Sequence, residues 1–392
     1  MPNIFSDAYD PIFYAQEAIT QIEQAMGMSA RVYRGLDEEK KSATRGSTIR
    51  VRKPSTFVVT EGGAGTFQDL DTDGLDMVVD NWKEVKFKLT DKELALHPDT
   101  IISDHIRPAA YAIANYVNSQ VGLLSRDIPW RVDMGATISD EDIINPRGIL
   151  RQNLGDILDT SMLHYGIDDV VESKFLGLDI FKTASTTGQG MNSTLYTASL
   201  GTRYRVETFV DQTLPVHVGG SLVASADVVG ALSADALKGA TTVSLSGFTG
   251  DVTLKKGDSF VIAGNAQRYV VEADASLTAG AGTVSVYPKL VQAYASGSVV
   301  TFDANTTAAP KYSTNLMFHP NAFALAFAPL PEVGNNLGAK MATITDPKTK
   351  ISIRSRVAYY DQNATVAVTL DVLFGCKTIN DKYACVVRRG IA

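Results

Sequence analysis

The sequence is poor in cysteine. Its 392 residues include only Cys376 and Cys385, too few for a disulfide scaffold or a four-cysteine zinc site. The five histidines stand singly, in no HExxH or His-x-His pattern that would hold a metal ion. The sequence therefore excludes a disulfide framework and predicts no zinc site.

Long apolar runs are also lacking. No window reaches the roughly 18 uninterrupted apolar residues of a membrane-spanning helix, and the start, MPNIFSDAYDPIF, lacks the basic and apolar regions of a signal peptide. We expect a chain that is made and kept in a cytosol, with no membrane partner. There the two cysteines, which would face each other across a hairpin turn at Asn380 and Asp381, are predicted to stay reduced rather than to form a cross-strand bridge.

Catalytic signatures are missing as well. No serine lies in a G-x-S-x-G elbow, and neither cysteine has the histidine signature of a thiol hydrolase. The glycines at 62–65 and 255–265 have neither the Gly-Lys-Ser/Thr ending of a phosphate loop nor the spacing of a dinucleotide fold. No catalytic residue, cofactor-binding residue or cofactor is predicted, and the chain is not expected to be an enzyme.

The nearest approach to a metal motif is DLDTDG, residues 69–74. Asp69, Asp71 and Asp73 alternate, and Gly74 stands at the turn, as at the start of a calcium loop. The match then ends, because position twelve is Asp80 rather than glutamate and strands rather than helices are predicted on either side. A solvated acidic segment is the preferred interpretation.

Charge is unevenly distributed in this region of a chain whose formal net charge is −7. Four basic residues lie within nine positions: Arg45, Arg50, Arg52 and Lys53. The segment 54–82 has no lysine or arginine but contains five aspartates: Asp69, Asp71, Asp73, Asp76 and Asp80. Strand-like patterns in IRVRK, TFVVT and VKFKL predict a long two-stranded ribbon with a positive and a negative limb.

An isolated ribbon of this kind is marginal in water unless something covers it. The nine charged residues are therefore candidates for contact with whatever covers the ribbon. Base-specific recognition of nucleic acid is not expected, because no aromatic residues interleave with the basic ones. Non-specific contact with phosphates stays open.

Helices are predicted at three places. Asp10 and Pro11 start a short helix that Gly27 stops, and its apolar stripe, from Ile12 to Met26, could pack on the chain's own core or on another subunit. A long helix is predicted from about residue 99 to Arg126, spanning roughly 40 Å, with a kink at Pro108. A third is predicted from Asn145, with Pro146 at its start.

Composition changes near Pro215 to threonine, valine and small residues. Short strands separated by glycine turns, as in TTVSLSGF and DVTLKKGDSFVIAG, predict a small β-barrel or sandwich that ends near Pro310. Mixed α and β character returns afterwards. Residues 216–309 are thus predicted to be a domain inserted into an α+β fold, with enough apolar residues of their own to fold alone.

This order of segments resembles the major capsid proteins of tailed bacteriophages, in the subtype whose coat protein carries an inserted β-barrel domain. The phrase SGFTGDVTLKKGDSFVIAG, with YVVEAD and TVSVYPKL, is similar to that inserted domain. The phrase NLMFHPNAFALAFAPLP is similar to the segment that rejoins the main fold.

The resemblance implies the α+β fold of those coat proteins and a division of the chain. Residues 1–36 would form an N-terminal arm, 37–97 an extended β-loop, and 98–134 a spine helix and part of a peripheral domain. An axial domain would occupy 135–215 and 310–365, interrupted by the inserted antiparallel barrel at 216–309. Residues 366–392 would supply the closing strands of the peripheral domain.

The resemblance also implies a function and partners, and it implies that the nine charged residues of the ribbon contact a neighbouring subunit. The chain would assemble into the icosahedral head that encloses phage DNA, as pentamers and hexamers, together with a scaffolding protein and a portal protein. It would contact the packaged double-stranded DNA non-specifically, and it would be assembled in the bacterial cytoplasm and end in the virion. The first helix, with an acidic flank that includes Glu17 and Glu23, would suit a basic scaffolding partner. The alternative is a phage tail or surface-binding protein whose β-domain recognises a ligand.

Overall fold

The computed structural model describes residues 11–34, 48–52, 74–90, 105–135, 137–154, 162–182, 198, 200–224, 227–303, 311–332, 339–346, 350–360 and 365–391. The helices in these ranges are α1 (Pro11–Ala25), α2 (Arg107–Leu123), α3 (Glu141–Leu154), α4 (Asp169–Phe175), α5 (Asp179–Lys182) and α6 (Ser221–Ala224). None of the helices so described is long and apolar enough to cross a membrane.

The strands are β1 (Thr48–Arg52), β2 (Gly74–Val78), β3 (Asn81–Thr90), β4 (Arg131–Asp133), β5 (Leu163–Ile167), β6 (Thr202–Arg203), β7 (Val206–Val210), β8 (Val216–Val218), β9 (Val229–Leu232), β10 (Thr242–Ser246), β11 (Val252–Leu254), β12 (Ser259–Ile262), β13 (Arg268–Val271), β14 (Ala275–Leu277), β15 (Gly282–Tyr287), β16 (Val299–Phe302), β17 (Lys311–Phe318), β18 (Phe323–Phe327), β19 (Ala339–Thr345), β20 (Ser352–Tyr360), β21 (Thr365–Thr378) and β22 (Ala384–Gly390). The predicted α+β character is confirmed. The chain divides into two compact units, residues 1–117 with 323–379 and residues 118–322 with 380–392.

The first unit is built on an antiparallel sheet of order β18-β21-β20-β19, in which β3 also pairs with β21. The long strand β21 reads TVAVTLDVLFGCKT and is buried along most of its length, as its apolar composition requires. Helix α1 packs against β19 and β20. Its predicted bounds are confirmed to within two residues.

The apolar stripe of α1 packs on its own chain. Ala15, Ile19, Ile22 and Met26 are buried, whereas Ile12 stays about half exposed, at 48%. Of the two partners left open by the sequence, the chain's own sheet covers the stripe. A docking surface for another protein on this helix would have to use its other faces.

Strand β3 is not part of the ribbon, contrary to the prediction for VKFKL. The ribbon consists of β1 and β2, and β3 pairs with β21 over its whole length, from Asn81 opposite Phe374 to Thr90 opposite Thr365. The reason lies in the alternation of Val85, Phe87 and Leu89, which gives β3 an apolar face. A two-stranded ribbon cannot bury such a face, but a wider sheet can.

Helix α2 is α-helical from Arg107, directly after a π-helical turn at His105 and Ile106, so Pro108 lies where the helical hydrogen-bond pattern changes. The predicted start near residue 99 lies outside the described residues. The helix has 17 residues, about 25 Å, and a 3₁₀ turn at Leu124–Asp127 follows it. The predicted C-terminal end near Arg126 is confirmed to within a turn.

The second unit contains a seven-stranded sheet of order β4-β22-β17-β5-β7-β6, with β8 beside β17. Helix α3 begins at Glu141, four residues before the predicted start, and Pro146 lies inside it. The Asp142 carboxylate accepts from the Ser139 N–H at 2.8 Å, which caps the first turn. Pro146 cannot donate to the Asp142 carbonyl, and the hydroxyl of Tyr165 donates to it instead, at 3.5 Å.

The predicted barrel is confirmed as a closed six-stranded barrel of order β10-β15-β13-β12-β16-β9. Its interior is a continuous apolar cluster that includes Leu245, Phe260, Tyr269 and Phe302. The boundary differs from the predicted one, because Val216–Val218 form β8, which pairs with β17 of the seven-stranded sheet. The barrel strands themselves run from Val229 to Phe302, and the barrel belongs to the same compact unit as that sheet.

The two cysteines do not face each other across a hairpin. Strands β21 and β22 belong to different sheets, so the predicted hairpin is wrong. The Asn380 side chain accepts from the Lys382 N–H and starts a 3₁₀ turn, which interrupts strand pairing at that point. Neither Cys376 nor Cys385 forms a disulfide.

Candidate functional site: the charged ribbon and the barrel junction

The ribbon brings one residue of each charged limb together. Strands β1 and β2 are antiparallel, and Arg50 stands directly opposite Asp76. The Arg50 Nε and Asp76 Oδ1 atoms are 4.0 Å apart, and both side chains are mostly exposed, at 69% and 60%. An exposed pair of this kind contributes about 0–1 kcal/mol, so it does not by itself hold the ribbon together.

The base of the ribbon is held by apolar contacts and by close backbone approach. Ile49, Met77 and Val79 are buried in a cluster with alanines of β18. The Lys377 ammonium donates to the carbonyl of Asp76 at 3.1 Å. At Gly375 of β21, an added Cβ would lie 2.4 Å from the carbonyl oxygen of Val78, so the absence of a side chain permits this contact.

The other predicted contact residues are placed only in part. Arg52 ends β1 opposite Gly74, and Asp80 is exposed immediately before β3. Arg45, Lys53, Asp69, Asp71 and Asp73 lie outside the described residues, and so does the calcium-like segment to which the three aspartates belong. Within the described ranges, no group of three or more His, Cys, Asp or Glu side chains could hold a metal ion.

The sheet of the first unit contains a buried ionic cluster centred on Asp371, which is fully buried. Arg354 Nη2 is 2.6 Å from Asp371 Oδ2, and Arg354 Nε donates to Oδ1 at 3.2 Å. Arg356 lies 3.3 Å from the same carboxylate and pairs with Glu84 at 2.5 Å, and the Trp82 indole donates to Asp371 at 3.2 Å. The cluster joins the three neighbouring strands β3, β21 and β20.

A second ionic cluster joins the barrel to the seven-stranded sheet. Asp303, immediately after β16, accepts from Arg268 Nη1 at 2.6 Å and from the Ser259 hydroxyl. Arg131 of β4 approaches the same carboxylate from the sheet, with Nε 3.8 Å from Oδ2. Burial opposes ionisation of Asp303, but the guanidinium groups of Arg131 and Arg268 outweigh it and hold the pKa of Asp303 below its ordinary value.

Arg388 of β22 extends this cluster. It forms a two-pronged pair with Asp133, with Nη2 2.6 Å from Oδ2, and its guanidinium lies 5.1 Å from the centre of the Tyr312 ring. Burial lowers the pKa of Arg131, in keeping with a guanidinium that has been taken out of water. These contacts lie on adjacent strands of the sheet directly beside the barrel.

His217 and Asp258 form a second tie between the barrel and the sheet. His217 of β8 is 2.9 Å from Asp258 Oδ1, and both side chains are almost fully buried. The other oxygen of Asp258 accepts from the backbone N–H groups of Gly220 and Lys255, at 3.0 and 2.7 Å. The carboxylate therefore fixes a loop of the barrel against a host strand.

The geometry supports positioning rather than nucleophilic chemistry. The carboxylates of the buried clusters, Asp371, Asp303, Asp133 and Asp258, are each hydrogen-bonded to a base or to backbone N–H groups. Burial raises the pKa of the Cys385 thiol to about 12, so it stays protonated at neutral pH and is a poor nucleophile. Asp258 and Arg268 belong to no recognisable motif in the sequence. The available signal was the occurrence of Asp371 and Arg388 within otherwise mainly apolar strands.

The chain was compared with known proteins. No protein-family model matches it, and no curated protein matches it in sequence. Several solved structures are similar to this chain in fold, although their sequence identity to it is low. A structure from Mycobacterium phage Che8 has 11% identity and a TM-score of 0.49, covering 92% of this chain and 90% of that one.

Two further structures have similar values. The capsid structure of the cyanophage P-SCSP1u has 9% identity and a TM-score of 0.47, covering 93% of this chain and 87% of that one. The asymmetric unit of the bacteriophage PhiM1 mature capsid has 12% identity and a TM-score of 0.43, covering 89% of this chain and 84% of that one.

Proposed function

We propose that the chain is the major capsid protein of a tailed bacteriophage, a structural subunit that assembles into the icosahedral head around DNA. The observation that carries the proposal is the closed barrel inserted between β8 and β17, two strands that pair with each other in the host sheet. An α+β chain interrupted in this way is the architecture that the sequence resemblance implies. The chain acts by holding position, not by catalysis.

The barrel is built as a fixed part of the subunit. Arg131, Asp303 and Arg268 join it to β4, and His217 and Asp258 join it to β8. A ligand-recognition module on a flexible tether would not need buried ionic ties to its host. The barrel therefore supports the shape of the subunit, which a shell repeats in every copy.

The ribbon is the part proposed to contact a neighbouring subunit. Its base is held on its own sheet by Ile49, Met77 and Val79. Residues 53–73 join β1 to β2, and because Arg52 stands opposite Gly74, this charged segment leaves and re-enters the sheet at one place. Exposed charges repeated in many copies make a salt-sensitive contact, even though each pair is weak.

The remaining partners follow from the same proposal. Copies of the chain form pentamers and hexamers, a scaffolding protein directs their assembly, and a portal protein occupies one vertex. The packaged double-stranded DNA is contacted non-specifically. Assembly takes place in the cytoplasm of the bacterial host, and the assembled chain is part of the virion.

The test is direct observation of assembly. The purified chain would be concentrated in buffers of decreasing ionic strength and examined by negative-stain electron microscopy and sedimentation velocity. Closed shells, tubes or capsomer rings support the proposal. A folded chain that remains monomeric at every concentration and salt level, and also when co-expressed with the other structural proteins of its phage, contradicts it.

A further inference from the structure

A small pocket with several polar groups in its lining lies where the barrel meets the seven-stranded sheet. It is lined by Ser125, Arg126, Arg131, His217, Tyr312 and Thr314, with the backbone of Gly257 at its barrel side. The first two residues belong to the 3₁₀ turn after α2, and Arg131 begins β4. The space between these groups is about the size of one water molecule.

Three hydrogen-bond donors of this pocket are unused. Ser125 Oγ, Arg126 Nε and Arg131 Nε are buried atoms without a hydrogen-bond partner among the described residues. The Arg131 side chain is only 4% exposed, and its Nη2 donates to the Gly257 carbonyl at 3.4 Å. Buried donors without acceptors are costly and rare in native proteins, so an acceptor is required here.

The nearby carboxylates are committed to other bases. Their pairs are Asp303 with Arg268, Asp133 with Arg388, Asp127 with Lys256, and Asp258 with His217. Arg126 has no ion pair among the described residues, and Arg131 shares Asp303 only at 3.8 Å. The pocket therefore has an excess of positive charge as well as an excess of donors.

We propose that this pocket binds a small monovalent inorganic anion of the halide class. Guanidinium and hydroxyl donors suit an anion and repel a cation, and the size of the pocket excludes a phosphate or sulfate. An anion there accepts from the three unused donors at once. It also offsets part of the positive charge that Arg126 and Arg131 bring to the pocket.

Gly257 supports the assignment by its position. Its φ of +101° favours glycine, and an added Cβ would lie 3.1 Å from His217 Cε1 and 3.2 Å from Arg126 Cβ. The barrel loop thus lies in close contact with His217 and Arg126. A bound anion therefore lies at the seam, and its binding free energy adds to the stability of the seam.

The experiment measures thermal unfolding of the full chain in sodium chloride, sodium bromide and sodium gluconate at one fixed ionic strength. We expect the Tm to rise and saturate as chloride or bromide replaces gluconate. Arg126→Gln and, separately, Ser125→Ala should reduce or abolish this rise. Arg151→Gln, an exposed arginine on α3, is the matched control and should keep it.

The anion can also be located directly. Bromide-soaked crystals should give an anomalous peak between Ser125, Arg126 and Arg131. The proposal is overturned if the Tm is the same in all three salts, if Ser125→Ala and Arg126→Gln respond to halide as fully as Arg151→Gln does, or if the pocket holds only water in bromide. Each result stands whether or not the chain assembles into shells.

Discussion

Arg354 donates two hydrogen bonds to the carboxylate of Asp371 on the neighbouring strand, from Nη2 to Oδ2 at 2.6 Å and from Nε to Oδ1 at 3.2 Å. Asp371 has no exposed surface. The two residues stand directly opposite each other in the β20–β21 pairing. A buried pair of this kind stabilises little compared with apolar residues of the same volume, but the loss of one partner is costly because the other charge is left buried. The pair therefore matters more through the cost of losing one partner than through the stability it adds.

Asp371→Asn should destabilise the chain by about 3–5 kcal/mol, because Arg354 keeps its charge in a buried place without a counter-ion. Urea unfolding followed by circular dichroism would measure the loss. Glu84→Gln is the matched control, since Glu84 belongs to the same cluster but is half exposed, and it should cost no more than about 1 kcal/mol. Equal effects for the two variants would contradict the role assigned to burial.

The stability contribution of Asp303 should depend on pH. Because its folded-state pKa lies below the ordinary value, its contribution is full above the unfolded-state pKa of about 3.9 and is lost as the pH falls through the lower folded-state value. The gap in stability between the native chain and Asp303→Asn should thus be widest at neutral pH and shrink below pH 4. Asp274→Asn, at an exposed pair with Lys255, should show only a small gap. A gap for Asp303→Asn that widened on acidification would refute the assignment.

Reversing the basic limb of the ribbon, in Arg50→Glu combined with Arg52→Glu, should leave the chain folded but impair its assembly. The Arg50–Asp76 pair is exposed and weak, so the free energy of unfolding should change by no more than about 1 kcal/mol. Light scattering during assembly at low salt would report the defect. The swap Arg50→Asp with Asp76→Arg is the control. It keeps an ion pair within the ribbon but exchanges the positions of the positive and negative charges that a neighbouring subunit would contact. Wild-type assembly by the double reversal would show that the ribbon charges make no subunit contact.

Gly257→Ala should destabilise the chain more than Gly239→Ala. Both glycines have positive φ, at +101° and +85°, so each substitution introduces strain of about 1–3 kcal/mol. Only at Gly257 would the new Cβ also crowd His217 and Arg126, whereas nothing lies within 4 Å at Gly239. The difference between the two variants in urea should be about 1 kcal/mol or more. If Gly239→Ala proved as costly, the close approach at the seam would not be the cause.

Residues 227–303 should fold when expressed alone. They contain all six strands of the closed barrel, most of its apolar cluster, and both partners of the Arg268–Asp303 pair. Closure leaves the barrel no free sheet edge to aggregate. Dispersed amide signals and one cooperative thermal transition are expected. An unfolded spectrum from this segment, together with a folded one from 216–309, would mean that β8 and α6 are part of the barrel's folding unit.

Local signals in the sequence predicted the elements that local chemistry determines. Helix α1 was predicted from Asp10 and Pro11 at its start and Gly27 at its end. The barrel was predicted from the regular glycine turns after Pro215. The start of α3 was missed, because the proline at position 146 was taken as a first-turn residue while Ser139 and Asp142 make the actual cap. Pairing of β3 with β21 was missed because partners that are distant in sequence leave no local trace.

The clusters of buried charge could not be predicted for the same reason. Arg388 and Asp133 are 255 positions apart, and Trp82 and Asp371 are 289 apart. Each residue alone reads as an ordinary charged residue in a strand. What the sequence offered was the charge contrast around Arg50 and Asp76, and of the candidates within the described residues the structure places these two side by side.

The barrel enters and leaves the host sheet at β8 and β17, where His217 stands opposite Tyr312 and Val216 opposite Ser313. Two strands that already pair in antiparallel register could equally be joined by a tight turn, and the sheet around them would need no rearrangement. In evolutionary terms, the junction is a site at which a whole domain can be inserted or removed. A lineage could acquire, lose or exchange the whole barrel in one recombination event, and only the handful of charged residues at the seam would then have to adapt.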